Sequence, residues 1–425
     1  MSSRAYVRTL VLAAALGAPA AFAAVLFQTA VHDASQLVWE ELPNGLGWSE
    51  APWWYVLLVP ALAGVIVAAA VRLPGRGGHA PLEGLGLGTI RPVDLVSILP
   101  AALATLSLGL VLGPEAPLIA LGLAVGVVAA RVARAEGGES ELLVLAGAFA
   151  AVAALFGGPL PAAFLLFEVM AAGGKVPARE IGRVLLPGFA AAATGALVFT
   201  GVGDWPGLEP ATLSLPGLPD YPTVRLVDVA WCALVAAVSA AVVVALRRGA
   251  LLVAARVAAR PAAALVTVGL LVGALAVAFR AAADRPVELV LFSGQAALPD
   301  IIAESSATVL VLLVVAKGLA YGLSLGVGFR GGPVFPALVL GAALGVLAEL
   351  ALPGLSVVPA IVAGVAASAA AVLRMPFFAV LVASLLAGPA AVDTAPIAIL
   401  GAVIGWLVAT AVPDRSSPSS SAGVD

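Results

Sequence analysis

The chain has 425 residues, of which 62% are hydrophobic and only 11% are charged, and its mean hydropathy is +1.13. Soluble globular proteins carry about 25% charged residues, and a water-soluble fold of this length could not bury so much apolar side chain, so that class is excluded. The net charge of −3 is too small to indicate nucleic acid as a partner.

The sequence divides into apolar runs of roughly 17 to 25 residues, the length that a helix needs to cross about 30 Å of hydrocarbon. Backbone polar groups must pair internally in lipid, which leaves helices or a closed barrel, and the runs lack the period-two alternation of barrel strands. In chain order, helices are predicted near 6–31, 53–71, 93–112, 116–134, 142–156, 159–172, 180–201, 226–247, 250–280, 306–328, 334–350, 357–373, 376–387 and 395–411.

These runs fall into two halves. The first run resembles a secretory signal with a cleavage site at Ala21-Phe22-Ala23, but it continues to Val31, so a retained first helix is favoured over cleavage. We predict a first membrane half at 1–202, a Pro- and Gly-rich linker at 203–224, a second membrane half at 225–412 and a polar, disordered tail at 413–425.

An internal repeat is the most informative feature. The segments Gly113–Gly122 and Gly332–Gly341 both read G-P-x-x-P-x-x-x-L-G. Downstream, Ala146-Gly147 precedes Pro159 by the same interval that separates Ala363-Gly364 from Pro376. Two matched elements at matched spacing indicate duplication of the membrane unit.

The repeated glycines and prolines interrupt apolar runs, and they suggest half-helices that begin inside the membrane. Transporters built from repeats use such interruptions to place helix N-termini near the bilayer midplane. Helix N-termini present free N–H groups and partial positive charge, so they bind anions without a formal cation. The alternative is that these prolines only kink packing helices.

The chain resembles the CLC family of chloride channels and proton-coupled chloride transporters, and is interpreted as a divergent prokaryotic member. The resemblance covers roughly residues 55–410 and rests on five segments. Written with the family pattern in brackets, they are Gly77-Gly78-His79-Ala80-Pro81 (G-S-G-I-P), Gly113-Pro114-Glu115-Ala116-Pro117 (G-K/R-E-G-P), Phe156-Gly157-Gly158-Pro159-Leu160 through Phe167-Glu168 (F-x-x-P-L…F-x-x-E), Gly332-Pro333-Val334-Phe335-Pro336 (G-x-F-x-P) and Arg374-Met375-Pro376 (R-x-P).

The resemblance implies an all-α polytopic membrane protein with two inverted repeats and broken, re-entrant helices, assembled as a homodimer with one anion path per subunit. Glu115 matches the family's gating glutamate, and Glu168 is a second carboxylate on the proton side. The expected anion site comprises Gly78 and the backbone N–H groups of Glu115, Ala116, Val334 and Phe335. The other glycines and prolines of these motifs that are expected to shape the site are Gly77, Pro81, Gly113, Pro117, Gly332 and Pro336.

Departures from the family pattern affect the expected activity. Gly78 replaces a serine whose hydroxyl would contact the anion, Pro333 lacks an N–H, and Ala390-Ala391 stand where a pore tyrosine is expected, so we expect a weak central anion site. Val169 replaces a second glutamate found in proton-coupled members. This favours passive conduction over proton exchange, although Glu168 could relay protons alone or could be a helix-end carboxylate paired with a base.

Two further residues and the overall function allow more than one interpretation. Lys317 lies in an apolar helix and is either structural or a contributor to the pore potential, while His79 is a turn residue or a titrating group. An organic-anion transporter of another repeat fold and a non-transporting scaffold remain alternatives. An enzyme is disfavoured because the chain has two histidines, one cysteine and no paired intramembrane aspartates. We expect no cofactor or metal and a location in a bacterial plasma membrane among lipid. Chloride is the expected transported anion, and protons are transported as well only under the alternative of proton-coupled exchange.

Overall fold

The protein is helical throughout the part that the structure describes. The structure is a computed structural model, and it describes residues 3–85, 88, 90–172, 178–200, 218–219, 221 and 223–412. The helices are α1 (Ser3–Gln36), α2 (Leu42–Gly45), α3 (Trp53–Ala70), α4 (Leu95–Ser107), α5 (Glu115–Val132), α6 (Gly138–Leu155), α7 (Pro159–Ala172), α8 (Ala178–Thr200), α9 (Leu226–Val257), α10 (Pro261–Ala283), α11 (Leu298–Ala303), α12 (Ala307–Val327), α13 (Val334–Ala351), α14 (Val357–Leu373), α15 (Pro376–Leu386) and α16 (Ala391–Ala411).

The helices are those of a multi-pass membrane protein. Within the described ranges, ten helices are long and apolar enough to cross a bilayer. Four others, α4, α7, α14 and α15, are apolar but shorter. Short apolar helices fit the expectation of half-helices, because a helix that begins inside the membrane needs fewer residues than a full span.

Most predicted helices are confirmed, but several boundaries are wrong, since α1 continues beyond 31 to Gln36 and α4 ends at Ser107 and not at 112. The break predicted between 247 and 250 does not exist, because α9 continues to Val257 and α10 begins at Pro261. A single glycine such as Gly249 costs a helix only about 1 kcal/mol, whereas a proline fits only the first turn of a new helix. The short helices α2 and α11 were not predicted. Most of the linker at 203–224 and the whole tail at 413–425 lie outside the described residues.

The two sequence repeats build the same packing arrangement twice. In the first half, a Cβ on Gly122 would lie 2.5 Å from the carbonyl oxygen of Gly147, so α5 and α6 touch backbone to backbone. In the second half, a Cβ on Gly341 would overlap the carbonyl oxygen of Gly364, so α13 and α14 do the same. Small residues permit this close approach of helices in lipid. The matched Gly motifs therefore mark two equivalent helix crossings.

The two halves meet at the loops that precede α5 and α13. The N–H of Gly113 donates to the carbonyl of Gly332 at 2.8 Å, and the N–H of Gly332 donates back to the carbonyl of Gly113. The bridge is antiparallel. Equivalent segments that pair reciprocally and antiparallel are related by a local two-fold axis, which is the symmetry expected of inverted repeats.

Candidate anion site between the two repeats

The carboxylate of Glu115 lies where the two repeats meet. Glu115 is the first residue of α5, and its side chain is fully buried at 0% exposure. Its Oε1 accepts a 2.8 Å hydrogen bond from the backbone N–H of Phe335, in the first turn of α13. The N–H groups of Val334 and of Glu115 itself also act on this carboxylate. The carboxylate thus lies between the N-termini of α5 and α13, where negative charge is stabilised.

Two motif glycines make the space that this carboxylate fills. A Cβ on Gly113 would overlap the Glu115 carboxylate, and a Cβ on Gly332 would collide with its Oε2. That same Oε2 is buried and has no hydrogen-bond partner. Glycine is therefore required at both positions because a side chain would collide with the Glu115 carboxylate. The backbone angles do not require it, since neither glycine has a positive φ.

Amide groups, not basic side chains, surround Glu115. Within the described residues, none of the ion pairs includes it. The hydroxyl of buried Tyr321, on α12, donates to the carbonyl oxygen of Pro333 at 2.7 Å and so supports the turn that begins α13. Pro117 and Pro336, one turn into α5 and α13, are both buried. The site has the chemistry of an anion site built from helix N-termini.

Glu168, on α7, makes the equivalent contact with another helix N-terminus. Its Oε1 accepts from the N–H of Phe377 at 3.0 Å, and its Oε2 accepts from the N–H of Phe378 at 2.7 Å. Both donors belong to the first turn of α15. Among the described residues, amide groups hold both oxygens of Glu168, and none of the ion pairs includes it. Val169 packs, partly buried, against the apolar core.

An aromatic cluster connects these two carboxylate sites. The ring of Phe156 stacks on Phe335 with 5.5 Å between centroids and meets the edge of Phe378 at 5.3 Å. Phe335 and Phe378 are the residues whose N–H groups hold Glu115 and Glu168. The role of Phe156 was not predicted from the sequence, in which this residue is only the first of the F-x-x-P-L segment.

The loop that contains Gly77 and Gly78 borders a cavity of about 440 Å³ beside α5. Both glycines have positive φ, at 76° and 83°, which is a conformation that favours glycine. The N–H of Gly77 donates to Ser97 Oγ at 3.0 Å, which holds the loop against α4. Ala116 also lines the cavity. Pro81 begins a short 3-10 turn beyond the loop and is buried.

The predicted site residues thus divide into two adjacent groups. Glu115, Val334 and Phe335 form the sealed junction between α5 and α13, where all three are buried. Gly77, Gly78, Ala116 and Pro117 face the neighbouring cavity instead. Ala116 directly follows Glu115 in the chain, so the cavity reaches the first turn of α5.

Lys317 has a structural environment. Its ammonium group is fully buried and lies 3.0 to 3.3 Å from four consecutive backbone carbonyl oxygens, those of Leu289, Val290, Leu291 and Phe292, which share its three N–H donors. These bonds fix the chain between α10 and α11. A buried cation is tolerated when its donors are satisfied in this way.

Comparison with known proteins agrees with this geometry. Residues 83–410 match the family model described as "Voltage gated chloride channel". "Putative ion-transport protein YfeO" of Salmonella choleraesuis (strain SC-B67) is 30% identical over 322 residues, which are 73% of each chain. The protein of the same name from Escherichia coli O17:K52:H18 is 28% identical over 347 residues, 79% of this chain and 77% of that one.

Two solved structures share the fold. A "slow cyanobacterial Cl-/H+ antiporter" superposes with a TM-score of 0.78 at 20% identity, covering 95% of this chain and 94% of that chain. A "CLC-type fluoride/proton antiporter" gives a TM-score of 0.68 at 17% identity and covers 97% of each chain. The predicted fold of two inverted repeats with broken helices is confirmed. This multi-pass membrane protein belongs to the voltage-gated chloride channel (CLC) family of ion channels and transporters.

Proposed function

We propose that the protein carries small inorganic anions of the chloride class across the membrane, with Glu115 as the gate. One observation carries this proposal. The buried carboxylate of Glu115 occupies a space bounded by two helix N-termini and two glycines. One of its oxygens accepts a hydrogen bond from an amide N–H, whereas the other oxygen has no hydrogen-bond partner. Such a place accepts an anion when the carboxylate leaves. The N–H groups of Glu115, Ala116, Val334 and Phe335 are the proposed ligands.

We favour passive conduction over obligatory exchange. Val169 cannot carry a proton, and both oxygens of Glu168 are held by amide groups of α15. The alternative is proton-coupled exchange of chloride or fluoride. The two structural neighbours described as antiporters support that alternative, as does a second buried carboxylate joined to the first through Phe156.

We also propose a homodimer with one anion path per subunit, on the basis of family membership.

Anion efflux from liposomes tests the proposal. Purified protein is reconstituted into chloride-loaded vesicles, and chloride release and external pH are recorded together. Glu115→Ala and Glu115→Gln remove the competing carboxylate, the second without loss of volume. The matched control is Glu141→Gln, which removes an exposed carboxylate from the first turn of α6.

We expect chloride release by the wild type without proton movement, and faster release in both Glu115 variants but not in the control. Release that drives protons inward would establish exchange in place of passive conduction, and a Glu168→Gln variant would then show whether Glu168 relays them. Identical rates in the wild type and both Glu115 variants would contradict the gating role. No release of chloride, bromide, nitrate or fluoride from any variant would contradict anion transport itself.

A further inference from the structure

We propose that the surface where α1 begins and α5 ends binds the headgroup of an anionic phospholipid through the exposed guanidinium groups of Arg4, Arg131 and Arg134. The acyl chains of this lipid lie along exposed apolar faces of the same two helices. The proposal goes beyond anion transport and does not rest on it, because its test measures lipid binding.

Contacts of Arg8 hold the first turns of α1 against the end of α5. Its Nη2 donates to the carbonyl oxygen of Ala133 at 2.7 Å, directly after the last turn of α5. Its Nη1 lies 3.5 Å from Oε2 of Glu139, in the first turn of α6. Arg4 lies one turn before Arg8 on the same face of α1. The start of α1 therefore lies beside the end of α5.

The chain turns at Arg134 in a conformation that usually requires glycine. The φ of Arg134 is 50°. Its N–H donates to the carbonyl of Arg131 at 3.1 Å, and the N–H of Ala135 donates to the carbonyl of Ala130 at 2.9 Å. These two bonds form a Schellman motif, whose left-handed position is normally glycine because a side chain strains the backbone there. An arginine at this position costs stability, which points to a role for its side chain outside the fold.

The nearby carboxylates do not pair with the three proposed headgroup ligands. Glu136 and Glu141 are exposed to solvent, and Glu139 pairs with Arg8. In the part of the chain that the structure describes, no ion pair includes any of the three ligands, and all three are exposed. Phosphate suits these guanidinium groups, because a guanidinium binds it through two parallel charge-assisted hydrogen bonds.

Exposed apolar side chains continue from the arginines towards the middle of both helices. On α1, Val7 and Val11 follow Arg4 by three and seven residues, so all three lie on one face. On α5, exposed Val128 lies one turn before Arg131 on the same face. Both helices are long and apolar enough to cross a bilayer. This arrangement matches an amphiphile with a charged head and hydrocarbon chains.

The membrane face also favours an anionic lipid. Arg183, at the start of α8, lies at the same end of the molecule, because its carbonyl oxygen accepts the Tyr6 hydroxyl at 2.9 Å. Its guanidinium already lies over the Tyr6 ring, 5.5 Å from the centroid. Arginines collected at the ends of spanning helices indicate the cytoplasmic face, where anionic lipids give the leaflet a negative potential. A free phosphate would be attracted to the same arginines, but it would not use the apolar faces.

Lipid binding to the purified full chain in detergent tests the site. Native mass spectrometry gives the dissociation constant of the first bound phosphatidylglycerol or phosphatidylcholine. Arg4→Gln, Arg131→Gln and Arg134→Gly each remove one guanidinium. The matched control is Arg256→Gln, at an exposed arginine in the last turn of α9. We expect the dissociation constant for phosphatidylglycerol to rise about fivefold in each of the three variants. It should change little in the control, as should the constant for phosphatidylcholine in every protein.

Arg134→Gly separates lipid binding from folding. Because glycine adopts a positive φ without strain, this variant should melt at a higher temperature than the wild type in the absence of lipid. It should nevertheless gain less from added phosphatidylglycerol. Unchanged dissociation constants in the three variants, or an equal rise in Arg256→Gln, would overturn the site. Stabilisation of the wild type by inorganic phosphate or glycerol 3-phosphate as large as that by phosphatidylglycerol would overturn the assignment to a lipid.

Discussion

The backbone N–H of Phe335 donates to Oε1 of Glu115 across 2.8 Å, although the two residues lie 220 positions apart. The bond joins the first turn of α13 to the first residue of α5. A side chain of one repeat thus occupies the helix N-terminus of the other. The reciprocal bonds between Gly113 and Gly332 hold the two N-termini together, so the proposed gate and the proposed anion site are fixed by the same symmetric contact.

Gly332→Ala tests whether the carboxylate and the anion use one space. A Cβ at position 332 would collide with Glu115 Oε2, so the methyl group must displace the carboxylate and would fill the anion's place as well. We expect chloride efflux to fall at least about tenfold in Gly332→Ala, and to stay low when Glu115→Ala is added.

The control for this variant is Gly138→Ala, because nothing lies within 4 Å of a Cβ at position 138. Its efflux should equal that of the wild type. If the double variant Gly332→Ala/Glu115→Ala transported as fast as Glu115→Ala alone, the space beside Gly332 would not be part of the anion path.

Glu168 should stabilise α15, independently of any role that it has in transport. Glu168→Ala leaves the N–H groups of Phe377 and Phe378 without their charged acceptor. Each hydrogen bond to a charged group contributes about 1.5–3 kcal/mol, so we expect a clear fall in the melting temperature in detergent. Glu168→Gln keeps one acceptor oxygen and should lose about half as much. Equal melting temperatures in the wild type and both Glu168 variants would show that these two hydrogen bonds do not stabilise the protein.

Lys317→Met should destabilise the protein without changing which anion it carries. The substitution leaves the carbonyls of residues 289–292 without their shared donor in a buried place, at a cost of about 1–3 kcal/mol. Leu319→Ala, at an exposed position of the same helix, is the control, since Leu319 is 48% exposed. A lower melting temperature with unchanged anion selectivity is expected. Altered selectivity at full stability would assign Lys317 to the pore potential instead.

A network at the start of α9 predicts an alkaline loss of stability. The Tyr221 hydroxyl donates to Asp228 Oδ2 at 2.8 Å, and Arg225 pairs with the same carboxylate. Burial, together with the bond to Asp228, raises the pKa of Tyr221 from 10.0 to about 12. The folded state therefore holds a proton that the unfolded state loses above its pKa, so this contribution to stability disappears as the pH rises from 10 towards 12.

Melting temperatures measured near pH 8 and near pH 11 check this relation. Tyr221→Phe should be less stable than the wild type near pH 8, because it lacks the hydroxyl bond. It should also lose less stability between the two pH values. An alkaline loss as large as that of the wild type would mean that other groups cause it.

Local patterns in the sequence predict where helices begin, but not which parts of the chain they meet. The G-P-x-x-P motifs predict helix starts close to Glu115 and Val334, because proline is tolerated in a first turn and glycine permits the preceding turn. That Glu115 would accept from α13 depends on a contact between repeats, which no local pattern encodes. The break at Pro261 was misplaced because Gly249 follows two arginines and resembles a helix end.

The role of Phe156 was overlooked for a similar reason. It arises only when α13 and α15 bring Phe335 and Phe378 to its ring.

The most direct test of the central claim is the bromide density of Glu115→Ala crystals compared with wild-type crystals soaked identically. If the carboxylate occupies an anion site, an anomalous peak will appear in Glu115→Ala within hydrogen-bonding reach of the Phe335 N–H, between Gly113 and Gly332, and it will be absent from the wild type. An empty junction in Glu115→Ala would contradict the claim that this carboxylate stands in for a transported anion.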